Sequence, residues 1–180
     1  MKKFDLKIIK DYPKPGINFI DINPLLQNPQ QFESVITSLA TAIGPVDEKT
    51  AIIAPEARGF IFGAPVAYKK GLPLLLIRKQ GKIPNKPYSF RITNEYTSYN
   101  VEMDGELLEK YDRFIYIDDI LATGQTLASV RRALQARGKD VVQALHFTAV
   151  EALKTMRNNN PTLKGLSLEV IYTPEAKVCC

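Results

Sequence analysis

Apolar residues along this chain follow two rhythms. Short runs at 51–54 (AIIA), 74–77 (LLLI), 113–117 (RFIYI), 141–150 and 166–172 have strand length and no helical spacing. Between them, Phe32, Val35, Ile36, Leu39, Ala40 and Ile43 recur at intervals of three and four, the signature of one buried helix face. Asn28 followed by Pro29 predicts the start of that helix, and Gly44 its close. Residues 58–70 predict a second helix stopped by Gly71, residues 126–136 a third stopped by Gly138, and residues 152–158 a short fourth. A short amphipathic stretch opens the chain and leads into a turn-rich segment at 11–24. Segment 80–99 is polar and rich in tyrosine, with Gly81, Pro84 and Pro87; it is too long for an ordinary connection and predicts a hairpin or lid.

Apolar strands that alternate with helices predict an α/β fold, an open and mostly parallel sheet with helices on both faces. In such folds ligands bind at the carboxyl ends of the strands, where the strand order reverses. The chemistry is therefore expected just after residues 54, 77 and 117. No linker divides the chain, which predicts a single domain over 1–180 with a lid at about 80–103.

Composition narrows the chemistry. The 180 residues hold one histidine, His146, and two cysteines, Cys179 and Cys180, side by side. Adjacent cysteines cannot staple the fold, and with a single histidine they cannot complete a four-ligand zinc site. His146 falls inside a strand pattern and reads as a packed residue rather than a base. No apolar run reaches the ~18–20 residues that span a bilayer. Asp5, Lys7 and Lys10 interrupt any signal-peptide core, so a cytoplasmic chain is expected. A net charge of +5 favours anionic partners, small phosphates as readily as nucleic acid. Arg131, Arg132, Arg137 and Lys139 cluster at a helix C-terminus, where the helix dipole accounts for them without nucleic acid.

The strongest chemical signal is 114–126, FIYIDDILATGQT. A buried strand delivers two adjacent carboxylates, Asp118 and Asp119. A loop of small residues, Ala122, Thr123 and Gly124, then opens a helix at Thr126. Backbone N–H groups at the positive end of a helix dipole form an anion site, most naturally for a phosphate. Two carboxylates beside a phosphate must face something else, and hydroxyls with a divalent cation resolve the conflict. The residues alone thus point to a sugar phosphate. The loop is neither a Walker loop nor a dinucleotide fingerprint.

This segment resembles the phosphoribosyl-diphosphate (PRPP) signature of type I phosphoribosyltransferases. Three further stretches are similar to the adenine phosphoribosyltransferase family: PEARGF with Gly63 (55–60), IRKQGKIP (77–84) and PKPGINFID (13–21). Glu95-Tyr96 resembles its lid motif. The resemblance spans nearly the whole chain, in order.

That resemblance implies a magnesium-dependent transfer of phosphoribose from PRPP to adenine, giving AMP and diphosphate, in a homodimer. It implies that Asp118 and Asp119 face the ribose hydroxyls and the Mg²⁺-bound substrate, the ion being held mainly through PRPP. Ala122, Thr123, Gly124, Gln125 and Thr126 then cradle the 5′-phosphate. Arg78, Lys79 and Lys82 neutralise the diphosphate, and a non-proline cis peptide is expected between Glu56 and Ala57. Within an N-terminal base-binding segment at about 1–27, Phe19 and the backbone of Asn18 join Arg58 and Ile120 around the purine. Glu95 on the lid is the implied proton-transfer residue. Two positions depart from the family pattern, Gln125 and Thr97, which both replace glycines. A left-handed backbone at Gln125 would strain the loop. The rival readings are the same chemistry on xanthine, hypoxanthine or guanine, and a PRPP-sensing regulator bound to nucleic acid. The regulator needs a DNA-binding module for which these residues leave no room.

Overall fold

The computed structural model describes residues 4–12, 14–15, 18–93 and 97–173. Strands β1 (Lys7–Ile9) and β2 (Phe19–Asp21) pair antiparallel as a small sheet of their own. Each is three residues long, too short for a periodicity, which is why the sequence reads as amphipathic stretch and turns. A short helix α1 (Asn23–Leu26) follows. Helix α2 (Pro29–Ala42) starts where expected, with the Asn28 side chain accepting a hydrogen bond from the Gln31 N–H at 3.1 Å. It ends before Gly44, because Ile43 already turns to an extended conformation.

Seven strands form the main sheet: β3 (Thr50–Pro55), β4 (Leu74–Lys79), β5 (Pro87–Thr93), β6 (Ser98–Asp104), β7 (Arg113–Leu121), β8 (Asp140–Ala149) and β9 (Ser167–Tyr172). The order is β5-β6-β4-β3-β7-β8-β9. From β4 to β9 every pair is parallel, whereas β6 runs antiparallel to β4 and β5 antiparallel to β6. The 80–103 excursion is thus a hairpin grafted onto the sheet edge.

Burial explains the apolar runs. Ile52, Ile115, Ile117, Leu145 and Phe147 face one layer with Phe62 and Val66 of α3 (Arg58–Lys70) and Val35 and Leu39 of α2. Ala51, Ile53, Phe114, Tyr116 and Ala144 face the other, with Leu127, Val130 and Leu134 of α5 (Gln125–Gln135). Both faces are covered, so these strands are apolar throughout. The β5–β6 hairpin puts Ile92, Val101 and Met103 into that second layer and alternates with exposed positions along β5.

Two short helices complete the chain. Helix α4 (Gly105–Leu108) follows the hairpin, and α6 (Lys154–Asn158) follows a 3₁₀ turn at Glu151–Leu153. The sequence predicts one helix over 152–158; the structure divides it at Lys154. Among the described residues, no helix is long and apolar enough to cross a membrane.

Candidate active site

The chain leaves β3 for β4 on one side and later adds β7 on the other, so the strand order reverses between β3 and β7. Their carboxyl ends open the crevice where ligands bind in such sheets, and Asp118, Asp119, the 122–126 loop, Arg58 and Arg78 lie around it.

The third core strand does not stop at 117. β7 continues through Asp118 and Asp119 to Leu121, because β8 runs beside it, pairing Asp118 with His146 and Leu121 with Ala149. The two carboxylates therefore belong to the strand rather than to the loop. Their environments differ. Asp118 Oδ2 accepts from the Tyr116 hydroxyl at 2.9 Å, and Oδ1 from the Asp119 N–H at 2.9 Å. Desolvation, then the neighbouring Asp119 charge, push the Asp118 carboxyl well above the ordinary aspartate range. Burial, then Asp118, likewise push the Tyr116 phenol well above its usual value. Asp119 is 4% exposed and forms an ion pair with Arg58.

Past Leu121 the loop turns at Gly124, whose backbone is left-handed (φ 77°) and which caps α5. Gly124 brings no capping side chain, and the Gln125 N–H donates to Thr123 Oγ1 at 3.4 Å. Gln125 is the first residue of the helix and its φ is not positive, so the condition for strain is not met; the left-handed position is Gly124. A cavity of about 90 Å³ is lined by the loop from Ala122 to Leu127 with Tyr116, Asp118, Ile120 and His146. Ala122, Thr123, Gly124, Gln125 and Thr126 all border it. Ile120, expected near the base, lies here as well.

His146 is 1% exposed and packs beside the Tyr116 ring, with centroids 5.6 Å apart. Its Nδ1 has no hydrogen-bond partner among the described residues. Burial and, second, the charge of Arg157 lower its pKa to about 3. It is a neutral packed ring, as expected, yet it forms a wall of the cavity, a placement that strand periodicity does not reveal.

On the other side of the crevice, the Glu56–Ala57 peptide is cis, as the resemblance implies. The Glu56 carboxylate accepts from the Lys79 N–H at 3.0 Å and lies 3.6 Å from Arg78 Nε. Arg78 Nη1 also reaches the Lys82 carbonyl at 3.5 Å. Arg78 is half-buried, while Lys79 and Lys82 are exposed. The three cations thus share one strand end, and the sequence reading gave Glu56 no part in holding them. Buried Glu102 on β6 lies across from Arg78 and accepts from the Ile83 N–H at 3.3 Å.

Arg58 joins the crevice to a second pocket. Besides Asp119, its guanidinium donates to the Ile20 carbonyl at 3.3 Å and lies 5.3 Å from the centre of the Phe19 ring. Tyr12 packs edge-on against Phe19, with centroids 5.4 Å apart. With Asp21, Ile22, Ile61 and others these residues line a cavity of about 330 Å³. Phe19 and Arg58 thus meet as expected. Asn18 directly precedes β2 and lines neither cavity. Glu95 lies outside the described residues, as do Cys179 and Cys180.

No cluster of three or more His, Cys, Asp or Glu side chains suited to a metal occurs among the described residues. Asp118 and Asp119 form a two-carboxylate set, which fits an ion that draws its other ligands from substrate oxygens.

Residues 23–169 match the phosphoribosyl transferase domain family. An adenine phosphoribosyltransferase of Acetivibrio thermocellus is 37% identical over 169 residues, covering 94% of this chain and 96% of its own. One from Idiomarina loihiensis is 42% identical over 145 residues, 81% of each chain. The crystal structure of the Thermoanaerobacter pseudethanolicus adenine phosphoribosyltransferase superposes with a TM-score of 0.78 at 31% identity, over 93% of this chain and 95% of that one. The Saccharomyces cerevisiae enzyme, solved with an imino-altritol bisphosphate and adenine, has a TM-score of 0.76 at 25% identity, over 93% and 94%. With that family's model matching residues 23–169 and relatives this similar over most of its length, the chain belongs to the phosphoribosyltransferases, among the adenine phosphoribosyltransferases.

Proposed function

We infer that this chain transfers the phosphoribosyl group of PRPP to adenine, forming AMP and diphosphate. The observation that carries the reading is the continuity of the site. The open α5 N-terminus, suited to a phosphate, connects through Asp118, Asp119 and Arg58 to the aromatic pocket at Phe19, suited to a base.

In this reading the 5′-phosphate rests on the backbone of 122–126, at the positive end of α5. Asp118 and Asp119 accept from the ribose hydroxyls. Arg78, Lys79 and Lys82 receive the diphosphate, and Glu56 fixes the strand end from which they project. Displacement of diphosphate builds positive charge on the sugar, and carboxylates already fixed in the crevice stabilise that charge without reorganising. Phe19 and Arg58 flank the purine, with Ile120 between base and loop. The backbone carbonyl of Asn18 accepts from the exocyclic amine of adenine. An oxo purine would instead set two acceptors face to face, a mismatch of ~1–3 kcal/mol. Glu95 exchanges the proton of the attacking ring nitrogen.

Asp118 and Asp119 would hold a Mg²⁺ ion bound mainly through the substrate, and that ion would supply charge neutralisation to the leaving diphosphate. We assign the chain one domain, with 80–103 as a lid and 1–27 as the base-binding segment. Its working form in this reading is a cytoplasmic homodimer, the homodimer supported by family resemblance.

The test is a coupled assay with PRPP, Mg²⁺ and each of adenine, hypoxanthine, guanine and xanthine. Adenine is expected to exceed the oxo bases by tenfold or more in kcat/KM, the scale of one buried mismatch. Comparable efficiency on hypoxanthine would eliminate the Asn18 pocket, and no turnover on any base would eliminate the activity.

A further inference from the structure

A loop that offers N–H groups to an anion must turn carbonyls the other way, and a buried carbonyl needs a donor. Here the donor is Arg157 of α6. Its Nη1 donates to the Ala122 carbonyl at 2.9 Å and to the Val150 carbonyl at 2.7 Å, tying the end of β7 to the end of β8. The residue is 6% exposed, and its Cγ lies 3.8 Å from where a Cβ on Gly124 would stand. The nearest carboxylate, on Glu151, is 3.9 Å away and largely exposed, so it compensates the guanidinium only in part.

We propose that Arg157 is a positioning residue for the phosphate loop. It anchors the Ala122 carbonyl from behind and adds a fixed positive charge beneath the bound phosphate without touching substrate. This rests on the assignment of the 5′-phosphate to that loop. The residue has no place in the PRPP signature and comes from a helix beyond the next strand. Its charge also bears on the buried His146 beside the same cavity.

The test compares the binding of AMP and adenosine, which differ only in the 5′-phosphate, to wild type and to Arg157→Met, Arg157→Gln and Arg157→Lys. Removing the donors and the charge in Arg157→Met is expected to weaken AMP by about tenfold or more, the scale of a charge-assisted hydrogen bond. Adenosine affinity should hold. Arg157→Lys, which keeps charge and donors, should restore most of the AMP preference, and Arg157→Gln should fall between them. Equal losses of AMP and adenosine in Arg157→Met would reduce the residue to general packing and overturn the proposal. So would an unchanged AMP preference. If Arg157→Met does not fold, Arg157→Gln decides by the same ratio. A wild-type protein with no preference for AMP over adenosine would instead refute the phosphate assignment itself, and the inference with it.

Discussion

The turn after β7 and the turn after β3 both carry the chain from a central parallel strand into a helix, yet they are held in different ways. The β7–α5 turn uses small residues and one left-handed glycine at the N-cap, with no capping side chain of its own, and is supported from beneath by Arg157 and Leu163. The β3–α3 turn is tied sideways: Glu56 grips the end of β4, and Gly59 lets the helix close on Pro55 and Asp118. One turn leads into a helix whose N-cap residue offers no side chain. The other sets the spacing of charged side chains on a neighbouring strand. The first is sensitive to backbone shape, the second to side-chain charge.

The largest expected effect comes from breaking the first turn. Gly124→Ala places a Cβ on a left-handed backbone, 2.7 Å from Leu163 Cδ1. Together these cost roughly 2–4 kcal/mol. AMP affinity and kcat/KM for PRPP should drop about a hundredfold, measured by calorimetry and steady-state kinetics. A variant with near wild-type kinetics would show that loop shape is not the determinant.

Glu56→Gln attacks the other turn by removing charge at constant size. The KM for PRPP should rise about tenfold, the worth of a charge-assisted contact, while AMP, which lacks the diphosphate, binds unchanged. Equal losses for PRPP and AMP would erase the distinction between the turns.

Acid should affect the two sides unequally as well, since His146 stands only under the β7–α5 cavity. Its folded pKa of about 3 lies below the ordinary 6.5, so between these values the unfolded chain takes up a proton that the folded chain does not. Stability therefore falls as pH drops below about 6.5, by up to about 1.4 kcal/mol per pH unit. Asp118 acts in the opposite sense, because a raised carboxyl favours the folded chain on acidification. His146→Gln should flatten the acid limb of a Tm-against-pH curve. An unchanged slope would mean that His146 charges freely in the fold.

The smallest effect is expected for Gln125→Gly, which restores the glycine of the family pattern. Gln125 is already helical, so glycine should bring no gain in turnover and cost a few tenths of a kcal/mol. A clear rise in kcat would contradict the placement of the left-handed turn at Gly124.

Helices α2 and α3 and the turn into α5 were legible in the sequence because their signals are local: Asn28-Pro29, Gly71, and small residues between a strand and a helix. The end of β7 was not legible. Two aspartates read as the close of a strand, and only pairing with β8 carries the ladder past them. The Tyr116–Asp118, Glu56–Lys79 and Arg157–Ala122 contacts were hidden for a related reason. Each joins a polar group to a neighbour that the tertiary fold or the strand pleat supplies, and hydrophobic periodicity carries no information about polar partners. Strands β1 and β2 escaped because three residues cannot display a period.

The Arg58–Asp119 pair also has a meaning for how the chain is made. Strand β3, helix α3 and strand β4 are consecutive and can come together over short loops. Strand β7 must return past the whole hairpin to reach the free edge of β3, a long-range pairing of the kind that slows folding. The ion pair, and with it the nucleotide site, exists only once that strand has docked. A nucleotide that binds only the docked chain draws newly made molecules toward completion, by about 2.7 kcal/mol at a hundredfold excess over its Kd. Refolding yield should therefore depend on the surrounding pool of AMP or PRPP, so that the metabolites the chain handles also govern how much of it is assembled.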